Sequence, residues 1–334
     1  MGAGLVDGDE GVHPVGGEPT WNESRYVDFW DPHCRVGGWF RIGNRPNEGH
    51  AEMSACIWLP DGRVACTLSR PAITANGLEV GGQRWTVLTP WRTTEVRYEG
   101  SLSVLADPWD LTDPKRAFAA SSPEQALVEL RCESAGPHAV LGADQDQVQL
   151  IFLPGQTDWH YQHLAHVTGS VRVGSQSWVI DGRGGKDHSW GPRNWHAKIW
   201  LRWLIAAIDD ANGFMLTRAV GPTKQTRSGF VLDEGTFRIV DDFVMRNVYA
   251  DPPHHELRRV EVEIRSGDRS WVATGTPQAW IPLRHRRPRE GAAPAVLRIV
   301  KSPTDWELGD GRRAAGHCEY HDRMDDGRPA GRHD

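Results

Sequence analysis

From Trp21 onward, apolar and polar residues alternate in short runs broken by turn residues. Residues 51–59 place Met53, Ala55, Ile57 and Leu59 on one face, and Pro60-Asp61-Gly62 then reverses the chain into residues 63–68, a hairpin pattern. Residues 96–104 alternate with the same period of two, as do residues 260–264, which turn through Gly267-Asp268. Asn212-Gly213 and Asp233-Glu234-Gly235 mark two further hairpins. The one helix the pattern predicts is short, capped near Asp113 and running from Pro114 to Phe118, with proline where a missing N–H costs little. Long 3.6-residue periodicity is absent, so the expectation is an all-β chain, a sandwich or a barrel.

Residues 1–20, rich in glycine and acid, read as a flexible N-terminal arm. Three segments share a tight glycine turn followed by tryptophan: Val80–Trp85, Val173–Trp178 and Ser266–Trp271. This is repeated hairpin chemistry, and the first two copies are compatible with two similar β units. Gly136-Pro137, Gly142 and Pro154-Gly155 interrupt the periodicity, which puts the expected seam within 134–158 and the expected units at 21–150 and 151–334.

Composition narrows the function. Tryptophan occurs 16 times, more than the 5 Tyr and 8 Phe together; that surplus suits either an apolar pocket or bulky barrel cores. The net charge of −6 argues against nucleic acid, which calls for a clustered basic footprint. The basic run Arg284-His285-Arg286-Arg287-Pro288-Arg289, bounded by Pro282 and Gly291, reads as a solvated loop. Five scattered cysteines without a C-x-x-C pair point to a reduced, cytoplasmic setting without disulfides or a zinc knuckle. The acidic start is not that of a signal peptide. No run approaches the ~20 apolar residues of a membrane span, which restricts any lipid contact to the periphery. Nucleotide-binding, HExxH and GxSxG signatures are missing, and no cofactor is expected.

The densest run of reactive types is Gly184-Gly185-Lys186-Asp187-His188-Ser189-Trp190-Gly191-Pro192-Arg193-Asn194-Trp195. Adjacent Asp187 and His188 would face opposite ways on a strand. An aspartate entering a tryptophan-lined cavity would have its pKa raised by desolvation, and ~3 units corresponds to about 4 kcal/mol. Indole faces would stabilise a developing cation. On spacing alone, Asp187 is equally a partner of Arg193 or Arg183 that locks a turn. His160, His163 and His166 share a strand-like segment in which i and i+3 diverge, so no metal site is expected. The polar turn of Asn44, Arg45 and Glu48 and the acids Asp28 and Asp31 read as structural.

Trp21-Asn22-Glu23-Ser24, Asp28-Phe29-Trp30-Asp31-Pro32, Arg41-Ile42-Gly43-Asn44-Arg45-Pro46-Asn47-Glu48-Gly49, Asp187-His188-Ser189-Trp190-Gly191-Pro192-Arg193 and the late Glu319-Tyr320 together resemble the superfamily of carotenoid hydratases and AttH-like proteins. The likeness runs from about residue 21 to the tail and is strongest to an uncharacterised bacterial branch. It implies two tandem lipocalin-like antiparallel β-barrels with a ligand pocket in or between them. It also implies cofactor-free chemistry on a hydrophobic small molecule of isoprenoid or polyketide type. The expected activity is a proton-initiated hydratase, dehydratase or cyclase. A pericyclase working by confinement and a non-catalytic carrier of apolar ligands are the alternatives. The resemblance assigns the proton to Asp187, with His188 as orienter or relay. Trp190, Arg193, Trp195, Trp200, Trp203, His160 and Tyr161 are the expected substrate-binding residues.

Overall fold

The computed structural model describes residues 6–74, 77–135, 153 and 157–333. The predicted turns fall where strands reverse, and the strands collect into two large antiparallel sheets. The first holds β1 (Trp21–Asp31), β2 (Val36–Arg45), β3 (His50–Trp58), β4 (Val64–Ser69), β5 (Glu79–Val80), β6 (Gln83–Thr89), β7 (Thr93–Leu105), β8 (Ser122–Ser134), β9 (Trp159–Val173) and β10 (Gln176–Pro192). Their order is β4-β3-β2-β1-β10-β9-β8-β7-β6-β5, and a ladder between residues 64–66 of β4 and 103–105 of β7 closes the sheet on itself.

The second sheet holds β11 (Trp200–Ala207), β12 (Gly213–Val220), β13 (Gln225–Asp233), β14 (Thr236–Ile239), β15 (Asp242–Tyr249), β16 (Leu257–Ser266), β17 (Arg269–Pro277), β18 (Ile281–Arg289), β19 (Ala292–Leu308), β20 (Arg313–Asp325) and β21 (Arg328–Pro329). It runs β14-β13-β12-β11-β20-β19-β17-β16-β15, with β18 on β19 and β21 on β20. Its ends meet where Val240 N–H donates to the Gly229 carbonyl and Asp241 N–H to that of Arg265. The expected short helix is α1 (Pro114–Ala120), with proline in its first turn. All three glycine–tryptophan segments are hairpins. The architecture is two lipocalin-like barrels.

Each barrel has its own filled core, and a third apolar layer lies between them. Along β3, Met53, Ala55 and Ile57 join the first barrel's core, whereas Cys56 and Trp58 join the layer shared with Trp203, Ile205 and Met215 of the second. The central strands are therefore buried on both faces, which erases the polar half of the alternation. Glycine makes the close approach of backbones feasible. A Cβ at Gly185 would stand 2.5 Å from Ile205 Cδ1, and one at Gly184 2.2 Å from the Asp28 carbonyl oxygen.

Four sequence expectations change. The sheets divide between Pro192 and Trp200 rather than at 150, because β9 and β10 return to pair with β8 and β1. The first two glycine–tryptophan hairpins consequently share one sheet, and the expected seam falls almost entirely outside the described residues. Residues 6–20 are not a loose arm: Glu10 is buried against Lys186, and His13 stacks on Trp190 with ring centroids 3.8 Å apart. The basic run is strand β18, paired among the described residues with β19 alone and bulged between Arg287 and Arg289; an edge strand tolerates the prolines that suggested a loop.

Candidate active site

β10 carries the run expected to hold the chemistry, and its pleat splits that run cleanly. Asp187 turns toward the second barrel, while Lys186, His188 and Trp190 turn into the first. On the Asp187 side a cavity of about 440 Å³ lies between the barrels, within the range of small-molecule sites. Its walls include Tyr26 and Trp39 from the first barrel, Leu201, Trp203 and Ile299 from the second, and Trp195 from the connecting segment. The pocket is thus between the barrels, not inside either.

Asp187 is buried, with no hydrogen-bond donor bound to its carboxyl among the described residues. Burial pushes its pKa up to about 7 against the pull of Arg193, Lys301 and Arg41. The turn-locking alternative does not describe it: Arg183 pairs with Asp210, and Arg193 donates to Ser189 Oγ at 2.9 Å. Across the cavity, burial pulls Lys301 down to about 7, partly offset by Asp28 and Asp187. Its ammonium pairs with Glu319 and donates to Tyr26 Oη at 3.1 Å. Lys301 also lies 4.4 Å from the Tyr26 ring centroid and 5.4 Å from that of Trp39. Glu319 bonds His321 as well. Burial keeps the cavity imidazoles of His160, His285 and His321 neutral at pH 7.

Of the expected site residues, Asp187, Arg193, Trp195, Trp203 and His160 line this cavity. His188, Trp190, Tyr161 and Trp200 do not. Trp200 faces the second barrel's interior beside Arg202, whose guanidinium pairs with Asp322 at 2.9 Å. His188 is fully buried on the far face of β10, where its Nε2 meets Glu23 Oε1 at 2.9 Å. Tyr161 donates to Glu10 Oε1 at 2.8 Å and stands 3.1 Å from His188 Nδ1. Burial, aided by Arg25, pushes His188 down to about 3. Burial would raise Glu23, but hydrogen bonds from His13 and His188 hold it at about 2. The role of orienter or relay for Asp187 finds no contact to work through.

His13, Glu23 and His188 bring ligand-type atoms within 4.8 Å of one another. Arg25 stands 3.8 Å from the Glu23 oxygen that both imidazoles share. That guanidinium supplies the positive charge a metal would bring, and the group reads as a hydrogen-bonded network. Among the described residues, the sequence reading missed Arg41, Glu52, Lys198, Lys301 and His321. Arg41, Glu52, Lys198 and Lys301 each stand among mainly apolar neighbours, as in Ile299-Val300-Lys301, and that isolation was the available signal; His321 lies in a polar run, 319–323, and gave none.

Two lipocalin-like barrels with a cavity between them define a fold class. Within it, the chain belongs to the family described as Domain of unknown function (DUF7064), which matches residues 7–324. Solved structures bear out the fold. A protein assigned as AttH from Nitrosomonas europaea superposes with a TM-score of 0.62 at 13% identity, covering 95% of this chain and 96% of that one. CghA superposes with a TM-score of 0.57 at 12% identity, covering 93% and 90%. CghA with Sch210972 gives 0.55 at 14%, covering 91% and 88%. No curated protein matches the sequence. No helix among the described residues is long and apolar enough to cross a membrane.

Proposed function

We propose that this protein is a cofactor-independent hydratase, dehydratase or cyclase that protonates a hydrophobic small molecule held between its barrels, with Asp187 as the acid. The observation behind the reading is a buried carboxyl group that opens on the cavity between the barrels, with burial raising its pKa to about 7. A general acid works best when its pKa matches the operating pH. Asp187 gives its proton to the substrate, and the carboxylate left behind is held by Arg193 and Lys301. In a hydration, water then adds at the neighbouring carbon and its released proton restores Asp187. In a cyclisation, an internal double bond closes the ring and the departing proton does the same. Trp39, Trp203 and Trp195 shape the bound chain, and its confinement removes entropy before reaction.

The test is Asp187→Asn assayed on the protein's substrate. Lost turnover with unchanged ligand affinity fits the proposal. Unchanged turnover removes Asp187 from the mechanism and leaves catalysis by confinement, or carriage without chemistry.

A further inference from the structure

We infer that the cavity holds, at the Trp195 end, a subsite for an anionic oxygen group of the ligand, a carboxylate or the enolate of a 1,3-dicarbonyl, bound by Lys198 and Arg193. Six cationic side chains line the cavity: Arg41, Arg70, Arg193, Lys198, Arg284 and Lys301. The carboxylates among its walls are Glu52, Asp187 and Glu319. Glu52 is taken up by Arg41 and Glu319 by Lys301. Asp187 is half-protonated near neutrality. Positive charge is in surplus even with Lys301, like Asp187, near half-protonation, and two of the cations, Arg193 and Lys198, lie on one segment.

Lys198 is 4% exposed, and its ammonium meets no carboxylate and no hydrogen-bond acceptor among the described residues. Its contact is the Trp195 ring, at 5.3 Å from the centroid. Arg193 lies 5.1 Å from the same ring, gives one terminal nitrogen to Ser189, and leaves its buried Nε without a partner. A buried cation without a counter-charge is costly. Here the cost also shows in Lys198, which burial and Arg193 hold well below its ordinary pKa. An incoming anion would satisfy both side chains through charge-assisted hydrogen bonds. The ligand's apolar body would lie against Met53, Leu68, Leu201, Trp203 and Ile299.

The inference rests on the proposed function only in taking this ligand for the substrate. Binding without chemistry tests it separately. Dodecanoate, 2-decanoylcyclohexane-1,3-dione, dodecan-1-ol and dodecylamine are titrated against the whole protein by calorimetry at pH 7. At least one of the two acids binds at least tenfold more tightly than the alcohol and the amine. The acid that does so identifies the group as carboxylate or enolate. Lys198→Met weakens that acid about tenfold or more and leaves dodecan-1-ol within twofold, while Lys198→Arg restores the acid. Equal binding of acid and alcohol, or no binding of either acid, overturns the subsite. So does equal weakening of acid and alcohol by Lys198→Met, or its lack of effect on both. Because dodecan-1-ol reports on a folded cavity, a misfolded variant is recognised by near-ultraviolet circular dichroism, and Arg193→Gln then stands in for it. Retained turnover in Asp187→Asn would reject the acid mechanism and leave these affinities unchanged.

Discussion

Two buried polar clusters lie back to back across β10, and they differ in how well their charges are matched. On the interior side Lys186 bonds both oxygens of Glu10 at 2.8 and 2.9 Å. Glu23 takes His13 and His188, and Arg25 donates to backbone carbonyls of the N-terminal segment. On the cavity side Lys198 and Arg193 have no carboxylate in contact among the described residues, and Asp187 faces open volume. Their β10 members, Lys186, Asp187 and His188, are consecutive in sequence, so sequence position does not distinguish the two clusters. Satisfaction does: a network whose groups pair with each other rigidifies a fold, and one that leaves groups unpaired around a void is arranged for something that enters.

The largest effect that separates the two sides is on turnover. Asp187→Asn lowers kcat about 10²–10⁴-fold, the ordinary contribution of a general acid. Lys186→Met, one residue away on the other face, acts on the fold instead. It leaves the Glu10 carboxylate buried without its cation and costs about 3–5 kcal/mol of stability, read from urea unfolding. A kcat loss in Lys186→Met matching that of Asp187→Asn, at unchanged stability, would break the comparison.

The pH dependence of stability sharpens it. The folded pKa of Asp187, about 7, lies above its unfolded value of 3.8, so the folded state holds the extra proton between them. The stability due to that proton is fully present below pH 3.8 and is lost as pH rises through 7. Wild type therefore loses up to about 4 kcal/mol relative to Asp187→Asn between pH 4 and pH 8, measurable as diverging urea midpoints. Parallel midpoints would place the carboxyl in a solvated or paired setting. The smallest effect is on shape. Trp203→Leu removes indole surface from the cavity wall and weakens dodecan-1-ol binding by about 1–2 kcal/mol, with Asp187 still titrating.

Much of the fold was legible because turn chemistry is local. Asp61-Gly62, Asn212-Gly213 and Glu234-Gly235 reverse the chain where expected, and Glu234 and Gly235 adopt the left-handed conformations such a turn needs. The division between barrels was not legible, since strand pairing is not local: Tyr26 of β1 pairs with Asp187 of β10, far along the chain. The adjacency of Asp187 and His188 showed that they diverge, but not which one meets the cavity, because β10 is buried on both faces. The N-terminal segment was misread from its glycine and acid content. Glu10 becomes buried only because Lys186 and Tyr161 are there to receive it. The charged cavity wall escaped notice because Arg41, Lys198 and Lys301 each sit alone in their own segment and converge only once both barrels have formed.

The protonation of Asp187 at neutral pH can be measured without knowing the substrate. With ¹³C-labelled aspartate carboxyls, the NMR titration of wild type is compared with that of Asp187→Asn, and the resonance absent from the variant is followed from pH 3 to pH 9. The expected midpoint is near 7, displaced far from the ordinary aspartate value of 3.8. A midpoint at or below 4 would mean that Asp187 is a paired carboxylate, and would contradict both its role as the acid and the contrast between the two faces of β10.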